Sequence, residues 1–386
     1  MKPRFFSYFS ILALGLLFLL PSAASAAPLK NTLEVSGWIP YWREATGTAD
    51  VMPNIKNLTA IQPFGYIVNS DGILTDAMGI ADEPWKSLRA AAKANKVRFI
   101  PTVMWSDGAS IQRILSNQAT RIDLEDRIAQ LAKDEGFDGI DIDFEAKYAE
   151  TRPYFSLFLK GLYQRMGPKW VYCSIESRTP LDSRYEGTPP KDAGIYANDF
   201  VEINKYCDRV QIMAYDQGSI DLKLNASNAG PYAPIADINW VEKVMKVAAQ
   251  TISKKKLVLG IPTYGYEYAV TPLAQEGYRY DLLWAFNQQY AYDIAKQFNL
   301  TPYRSSGGEM TFTYIPTSTP TTVGVPNSAT AAGPVAAQVQ PFNILTWDDS
   351  LAIAQKIALA KRLGLKGVAI FKFDGGEDQA FWNLIK

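Results

Sequence analysis

Short runs of alternating apolar and polar residues recur along this chain, separated by longer stretches with apolar residues at i, i+3 and i+4. The short runs predict β-strands near Leu33–Trp38, Thr59–Tyr66, Arg98–Met104, Gly139–Phe144, Trp170–Ser177, Arg209–Tyr215, Leu257–Pro262 and Gly367–Phe371. Helical periodicity falls between them, at Pro84–Asn95, Leu124–Glu135, Pro153–Met166, Asn239–Gln250 and Ser350–Leu363. Strand alternating with helix is the pattern of a parallel sheet with crossover helices, and eight such strands are enough to close an α/β barrel of the TIM (β/α)8 type.

One connection is too long for that plan. About a hundred residues separate the seventh strand from the eighth, where a helix and its two loops take roughly thirty. Residues 265–347 offer a helix at Leu282–Gln297 and strands at Met310–Tyr314 and Phe342–Trp347, the parts of a small α+β insertion. Between those strands, residues 316–341 are rich in Thr, Pro, Ser, Ala and Gly with almost no charge. Such a stretch cannot bury a core, so a flexible hairpin tip is expected.

The chain begins Met1-Lys2-Pro3-Arg4, continues with an apolar run from Phe5 to Leu20, and reaches a small-residue site at Ala24-Ser25-Ala26. This reads as a signal peptide over 1–26, with an apolar run short for a membrane span. The remaining 27–386 are expected as a single secreted barrel, extracellular or in the cell envelope, with no membrane attachment after cleavage.

Composition narrows the chemistry. The 39 Lys and Arg residues balance the 39 Asp and Glu, so no basic field points to nucleic acid and a neutral partner is expected. Aromatic residues make up 12% of the chain, a supply of flat apolar rings that suits sugar stacking as well as a core, with core packing accounting for most of them. The absence of histidine removes Ser-His-Asp and Cys-His catalysis and most zinc sites; no metal or other cofactor is expected. Cys173 and Cys207 are the only cysteines, each in or beside a predicted strand, where they could be bridged after export or remain two small buried thiols. A monomer is expected.

The strand at Gly139–Phe144 carries the chemistry. Successive side chains of a strand point to opposite sides, so Asp141, Asp143 and Glu145 project together while Ile140, Ile142 and Phe144 face a helix layer. Three carboxylates on one face of a central strand need a reason, because burying an unpaired carboxylate is costly. Barrel sites collect at the C-terminal ends of the strands, which makes Glu145 the most accessible of the three. Desolvation and like-charge repulsion both favour its protonated form, the form a general acid needs.

Asp138, Gly139, Asp141, Asp143 and Glu145 fit the pattern D-G-x-D-x-D-x-E, and in this the chain resembles glycoside hydrolase family 18, the chitinase-like enzymes. The resemblance extends to Gln211–Asp216, similar to the family's M-x-Y-D strand, to Leu259–Gly265, similar to its L-G-I-P-x-Y-G strand, and to Gly367–Phe371, similar to its last strand. It implies hydrolysis of a polysaccharide of β-1,4-linked N-acetylglucosamine, chitin or peptidoglycan-type, with the substrate's own 2-acetamido oxygen as nucleophile. On that resemblance Glu145 protonates the glycosidic oxygen, Asp143 orients and stabilises the acetamido group, and Asp141 shares a proton with Asp143. Tyr215 donates its phenol O–H to the acetamido oxygen, and Asp216 and Met213 contact the sugar. Phe371 stands where relatives usually place a tryptophan as floor of the central sugar site. Tyr41, Trp105 and Tyr264, each near the C-terminal end of a predicted strand, are expected as further sugar contacts. The alternative of a different class is a non-catalytic, chitinase-like carbohydrate-binding protein; such forms typically lose the acid at the Glu145 position, which this chain keeps.

Overall fold

Alternating apolar runs become parallel strands: β1 (Glu34–Pro40), β2 (Ala60–Val68), β3 (Thr102–Trp105), β4 (Gly139–Phe144), β5 (Trp170–Glu176), β6 (Arg209–Met213) and β7 (Leu257–Pro262). After β7 the chain builds a second, antiparallel sheet from β8 (Gly265–Pro272), β9 (Tyr278–Phe286), β10 (Tyr303–Arg304), β11 (Met310–Tyr314) and β12 (Phe342–Trp347). It then returns with β13 (Gly367–Phe371), which pairs in parallel with β7 and with β1, while β1 pairs with β2. Eight parallel strands therefore close a TIM barrel, with the α+β insertion between its seventh and eighth strands. The computed structural model describes residues 33–228, 230–273, 277–316 and 340–386; the leader reading at 1–26 and residues 317–339 of the low-charge stretch lie outside them. Among the described residues no helix is long and apolar enough to cross a membrane.

Four crossover helices match the periodicity to within about two residues at each end, at Trp85–Ala94, Arg152–Met166, Ile238–Ala248 and Ser350–Leu363, while the one expected from Leu124 begins earlier and spans Gln118–Asp134. Capping residues set several starts: the side chains of Asn117, Asp237 and Asp349 accept backbone N–H groups of the first turn. The third predicted strand, Arg98–Met104, is interrupted, because Pro101 supplies no ladder donor and splits it into Arg98–Phe99 and β3.

Strand parity sorts the barrel into two environments. Ile140, Ile142 and Phe144 of β4 face the helices, where Phe144 stacks on Phe158 with ring centroids 5.1 Å apart. The opposite parity fills the lumen with a polar layer of Ser36, Gln62, Thr102, Asp141, Ser174 and Gln211, all buried. Above it sits an apolar layer that includes Trp38, Phe64, Met104 and Phe371. Cys173 and Cys207 are joined by a disulfide with Cα atoms 6.0 Å apart, tying β5 to the segment that leads into β6.

The insertion departs from expectation at one place. The helix expected from Leu282 begins only at Gln288, and Leu282–Phe286 is the end of β9, paired antiparallel with β8. The apolar residues there fit helical spacing, but Tyr, Leu, Trp and Phe also suit a pleated surface, and the ladder offered by β8 decides the matter. Glu267 of β8 binds helix to sheet by accepting from Tyr290 (2.8 Å), Tyr314 (2.6 Å) and Asn343 (2.6 Å).

Candidate active site

Asp141 is fully buried in the lumen, and every group that contacts it is a donor. Its Oδ2 accepts from Thr102 Oγ1 (2.8 Å), Trp38 Nε1 (3.1 Å) and Gln62 Nε2 (3.1 Å), and its Oδ1 from Ser174 Oγ (2.9 Å) and Gln211 Nε2 (3.4 Å). Burial raises its pKa, and the bonds from Trp38, Thr102, Ser174 and Gln62 hold the rise back. This cage was not expected from the sequence; its signal there was that Gln62, Thr102, Ser174 and Gln211 are lone polar residues in otherwise apolar runs.

Asp143, two residues further along the same face, is only 4% exposed, and its Oδ1 has no hydrogen-bond partner. Burial pushes its pKa well above the usual carboxylate range, with the charges of Glu145 and Asp141 adding to the rise. Glu145 stands at the rim, its backbone N–H bonded to Trp105 O at 2.7 Å. Its pKa is raised by burial first and by the charge of Glu176 next; Lys147 and the contact with Asp143 oppose the rise, and Asp216 adds to it. Asp143 and Glu145 thus form a coupled acid pair that holds a proton into the range where free carboxylates are ionised.

These groups open into a cleft of about 300 Å³ at the C-terminal end of the barrel, whose walls include Asp143, Glu145, Glu176, Met213, Tyr215 and Asp216. Trp38, Phe64 and Phe371 make its floor, with Phe371 5.8 Å from Trp38 and 6.3 Å from Phe64, centroid to centroid. Tyr215 stacks on Phe371 at 5.5 Å and is 7% exposed. Burial, followed by the charge of Asp143, raises its pKa well above the ordinary phenol value, so it remains an O–H donor. Gly260 makes room for this ring: a Cβ there would lie 2.5 Å from Ile212 O and 3.0 Å from the Tyr215 ring. Asp216 turns into the left-handed region (φ +57°), which Asp tolerates, and its Oδ1 accepts from Tyr264 Oη at 2.5 Å. Burial raises its pKa against the bonds from Tyr264 and Tyr266.

Three expected sugar contacts lie elsewhere. Trp105 is 1% exposed, edge-on to Phe144 at 5.3 Å, with Nε1 bonded to Ser110. It pairs in register with Phe144, so parity sends it to the helix layer while Met104 beside it faces inward. Tyr264 is buried behind the wall, edge-on to Tyr215 and Phe371 and bonded to Asp216, and is not itself among the cleft walls. Tyr41 lies in a short 3-10 turn after β1 and packs against the core beside Trp42, not among the cleft walls. In their place the structure brings Trp38, Phe64, Glu176 and Ser177 to the cleft. Among the described residues no group of three or more Asp, Glu or Cys side chains is set to hold a metal ion.

Such an arrangement can hold a proton at its rim, support positive charge below it, and stack a flat ring on its floor. The sequence model described as glycosyl hydrolases family 18 matches residues 38–376. The uncharacterized glycosylase YvbX of Bacillus subtilis (strain 168) is 25% identical over 342 residues, covering 86% of this chain and 87% of the relative. Among solved structures, the spore cortex-lytic enzyme SleL of Bacillus megaterium QM B1551 superposes with a TM-score of 0.68 at 21% identity, over 93% of this chain and 74% of SleL. A chitinase of Chromobacterium violaceum ATCC 12472 gives 0.67 at 20% identity, over 92% and 98% respectively.

Proposed function

The chain belongs to glycosyl hydrolase family 18, and on that premise we propose that it is an exported enzyme cleaving β-1,4-linked N-acetylglucosamine polymers, of chitin or peptidoglycan type, by substrate-assisted retaining catalysis. The observation that carries this reading is the unpartnered, buried Oδ1 of Asp143 beneath the rim carboxyl of Glu145. A buried acceptor left open beside a cleft is matched by an acetamido N–H.

Glu145 gives its proton to the glycosidic oxygen as the bond to C1 breaks. The acetamido carbonyl oxygen closes on C1, so the positive charge develops on the ring that faces Asp143. The Asp143 carboxylate, with Asp141 behind it, stabilises that charge and takes up the acetamido N–H. Tyr215 points its phenol O–H toward the acetamido oxygen. Water then attacks C1, the C1–O bond of the ring closure breaks, and Glu145 recovers its proton. Trp38, Phe64 and Phe371 supply the apolar floor, so a phenylalanine in place of a tryptophan is accompanied by two further rings around the same sugar face. The similar proteins include both chitinases and spore cortex-lytic enzymes, in keeping with the proposed substrate class. Export is supported by the leader pattern at 1–26 and suits the Cys173–Cys207 bridge.

The test is product analysis by mass spectrometry, with proton NMR of the freshly released anomer, on chitin oligosaccharides beside purified peptidoglycan. Cleavage on the reducing side of N-acetylglucosamine with retained anomeric configuration supports the reading. A protein that binds both glycans and releases no product from either would return it to the carbohydrate-binding alternative.

A further inference from the structure

Glu176 was not visible as a site residue in the sequence, yet it lines the cleft and contributes the largest charge effect on Glu145. Both of its oxygens are bonded. Oε1 accepts the backbone N–H of Ala146 at 2.8 Å, and Oε2 accepts from Asn198 Nδ2 at 2.8 Å and pairs with Lys147 Nζ at 3.1 Å. A carboxylate holding three donors is poorly placed to exchange protons with a substrate.

The segment it holds is the one that follows Glu145. Ala146 adopts φ +54°, a left-handed conformation that a side chain disfavours by roughly 1–2 kcal/mol, so the surroundings must impose it. Two contacts do so: the bond to Glu176, and the close approach of Ala146 O to Gly108, where a Cβ would meet that oxygen at 2.3 Å. Lys147 closes the arrangement. Its side chain is 0% exposed, lies over the Phe155 ring at 4.8 Å, and bonds back to Phe144 O as well as to Glu176. The acid is therefore followed directly by a strained residue and a cation, both bonded to one carboxylate on the neighbouring strand.

We propose that Lys147 and Glu176 are paired positioning residues for Glu145, fastening the turn that follows it and balancing the charge that its carboxyl faces. This rests on the reading of Glu145 as the acid. The groups facing Glu145 are Asp143 from β4, Lys147 from the turn, Glu176 from β5, and Tyr215 and Asp216 from the end of β6. Among these described residues Lys147 is the cation. Its charge acts to lower the pKa of Glu145 and that of Glu176 acts to raise it, so the two oppose each other at the acid.

The experiment measures the pH–rate profile of Glu176→Gln, Lys147→Met and the double variant, with carbon-13 titration of the Glu145 carboxyl, assigned by its absence in Glu145→Gln. Glu176→Gln is expected to move the alkaline limb to lower pH by on the order of one unit, and Lys147→Met to higher pH by a similar amount. The double variant should return close to the parent profile. If Lys147→Met does not fold, comparing Glu176→Gln with the double variant still isolates the effect of Lys147. Both single variants moving the limb the same way, or neither moving it, would overturn the proposal while leaving the acid role of Glu145 intact. If the parent protein cleaves no N-acetylglucosamine polymer, the function above fails. The carboxyl titration then decides this inference by itself: opposite shifts uphold it and an unmoved carboxyl ends it.

Discussion

Replacing Asp143 by asparagine should make the protein more stable and less active at once. The native carboxyl is 4% exposed, has one oxygen without a partner, and sits between two other acids. An unsatisfied buried polar group costs about 1–3 kcal/mol, and repulsion from Asp141 and Glu145 adds to it. The amide keeps the shape and removes the charge, so the part of that cost that comes from ionising a buried carboxyl between two acids is recovered. At roughly 2 °C per kcal/mol for a chain of this size, the melting temperature should rise by about 2–6 °C. The gain must depend on pH. Because the folded pKa of Asp143 is raised, the native side chain destabilises the fold increasingly as pH rises from its unfolded value of about 3.9 through the folded one. Asp143→Asn should therefore melt close to the parent near pH 4 and well above it near pH 8, while turnover falls at both. Thermal melts from pH 4 to 8 beside initial rates on a chitin oligosaccharide supply the comparison. A variant that loses activity yet melts at or below the parent temperature at pH 8 would mean that Asp143 is satisfied in the folded protein, and the unpartnered oxygen would no longer support the proposed acetamido site.

Three further outcomes follow from the same geometry. Glu145→Gln should fold normally and lose roughly 10² to 10⁴ in turnover, since an amide fills the rim but delivers no proton; near-parent rates on an unactivated oligosaccharide would exclude the acid role. Fully deacetylated chitosan should resist cleavage and a thiazoline analogue of the oxazolinium ion should inhibit strongly; efficient hydrolysis of the free-amine polymer would rule out the substrate-assisted route. Glu309, buried with its Oε1 on the N–H groups of Ile235 and Ala236, has a pKa raised to about 8, chiefly by burial and then by the charge of Asp348. Its stabilising proton is fully present below pH of about 4.5 and lost as pH rises through the folded value, so the parent should melt lower toward pH 9 and Glu309→Gln should flatten that slope.

Much of this fold could be read along the chain because each barrel strand is a short apolar run with its own boundary residues, and each crossover helix shows one apolar stripe. The acid ladder was legible for the same reason: parity within one strand needs only the sequence of that strand. What could not be read was anything that depends on the register between strands. Trp105 and Met104 are adjacent and both near a strand end; only the alignment of Met104 with Asp143 and of Trp105 with Phe144 sends one inward and the other out. Glu176 faces the cleft because Ser174, on its face of β5, is aligned with Asp143. Tyr41 and Tyr264 were misplaced for a related reason, as each lies where the backbone has left the regular strand and parity no longer applies. Leu282–Phe286 shows the converse, a run whose spacing fits a helix but whose partner strand, from another part of the sequence, makes it a strand.

The arrangement of donors explains how a chain without histidine keeps acidic groups protonated at its rim. A carboxylate as deep as Asp141 could have been neutralised by a buried lysine or arginine, but such a cation would also act on Asp143 and Glu145 and draw their protons away. The lumen uses Trp38, Gln62, Thr102, Ser174 and Gln211 instead, neutral groups that satisfy the lone pairs of Asp141 and bring no opposing positive charge. The negative charge of Asp141 therefore stays effective on Asp143. The same logic applies at the rim, where the buried cation Lys147 is matched by Glu176. A cationic residue at any of the five lumen positions should lower the pKa of Asp143, because it would trade a neutral hydrogen bond for a full charge. Gln62→Lys is the informative case, since its donor already reaches Asp141 at 3.1 Å. An acid limb that fails to move to lower pH in a folded Gln62→Lys protein would show that the charge of Asp141 does not govern the pair above it.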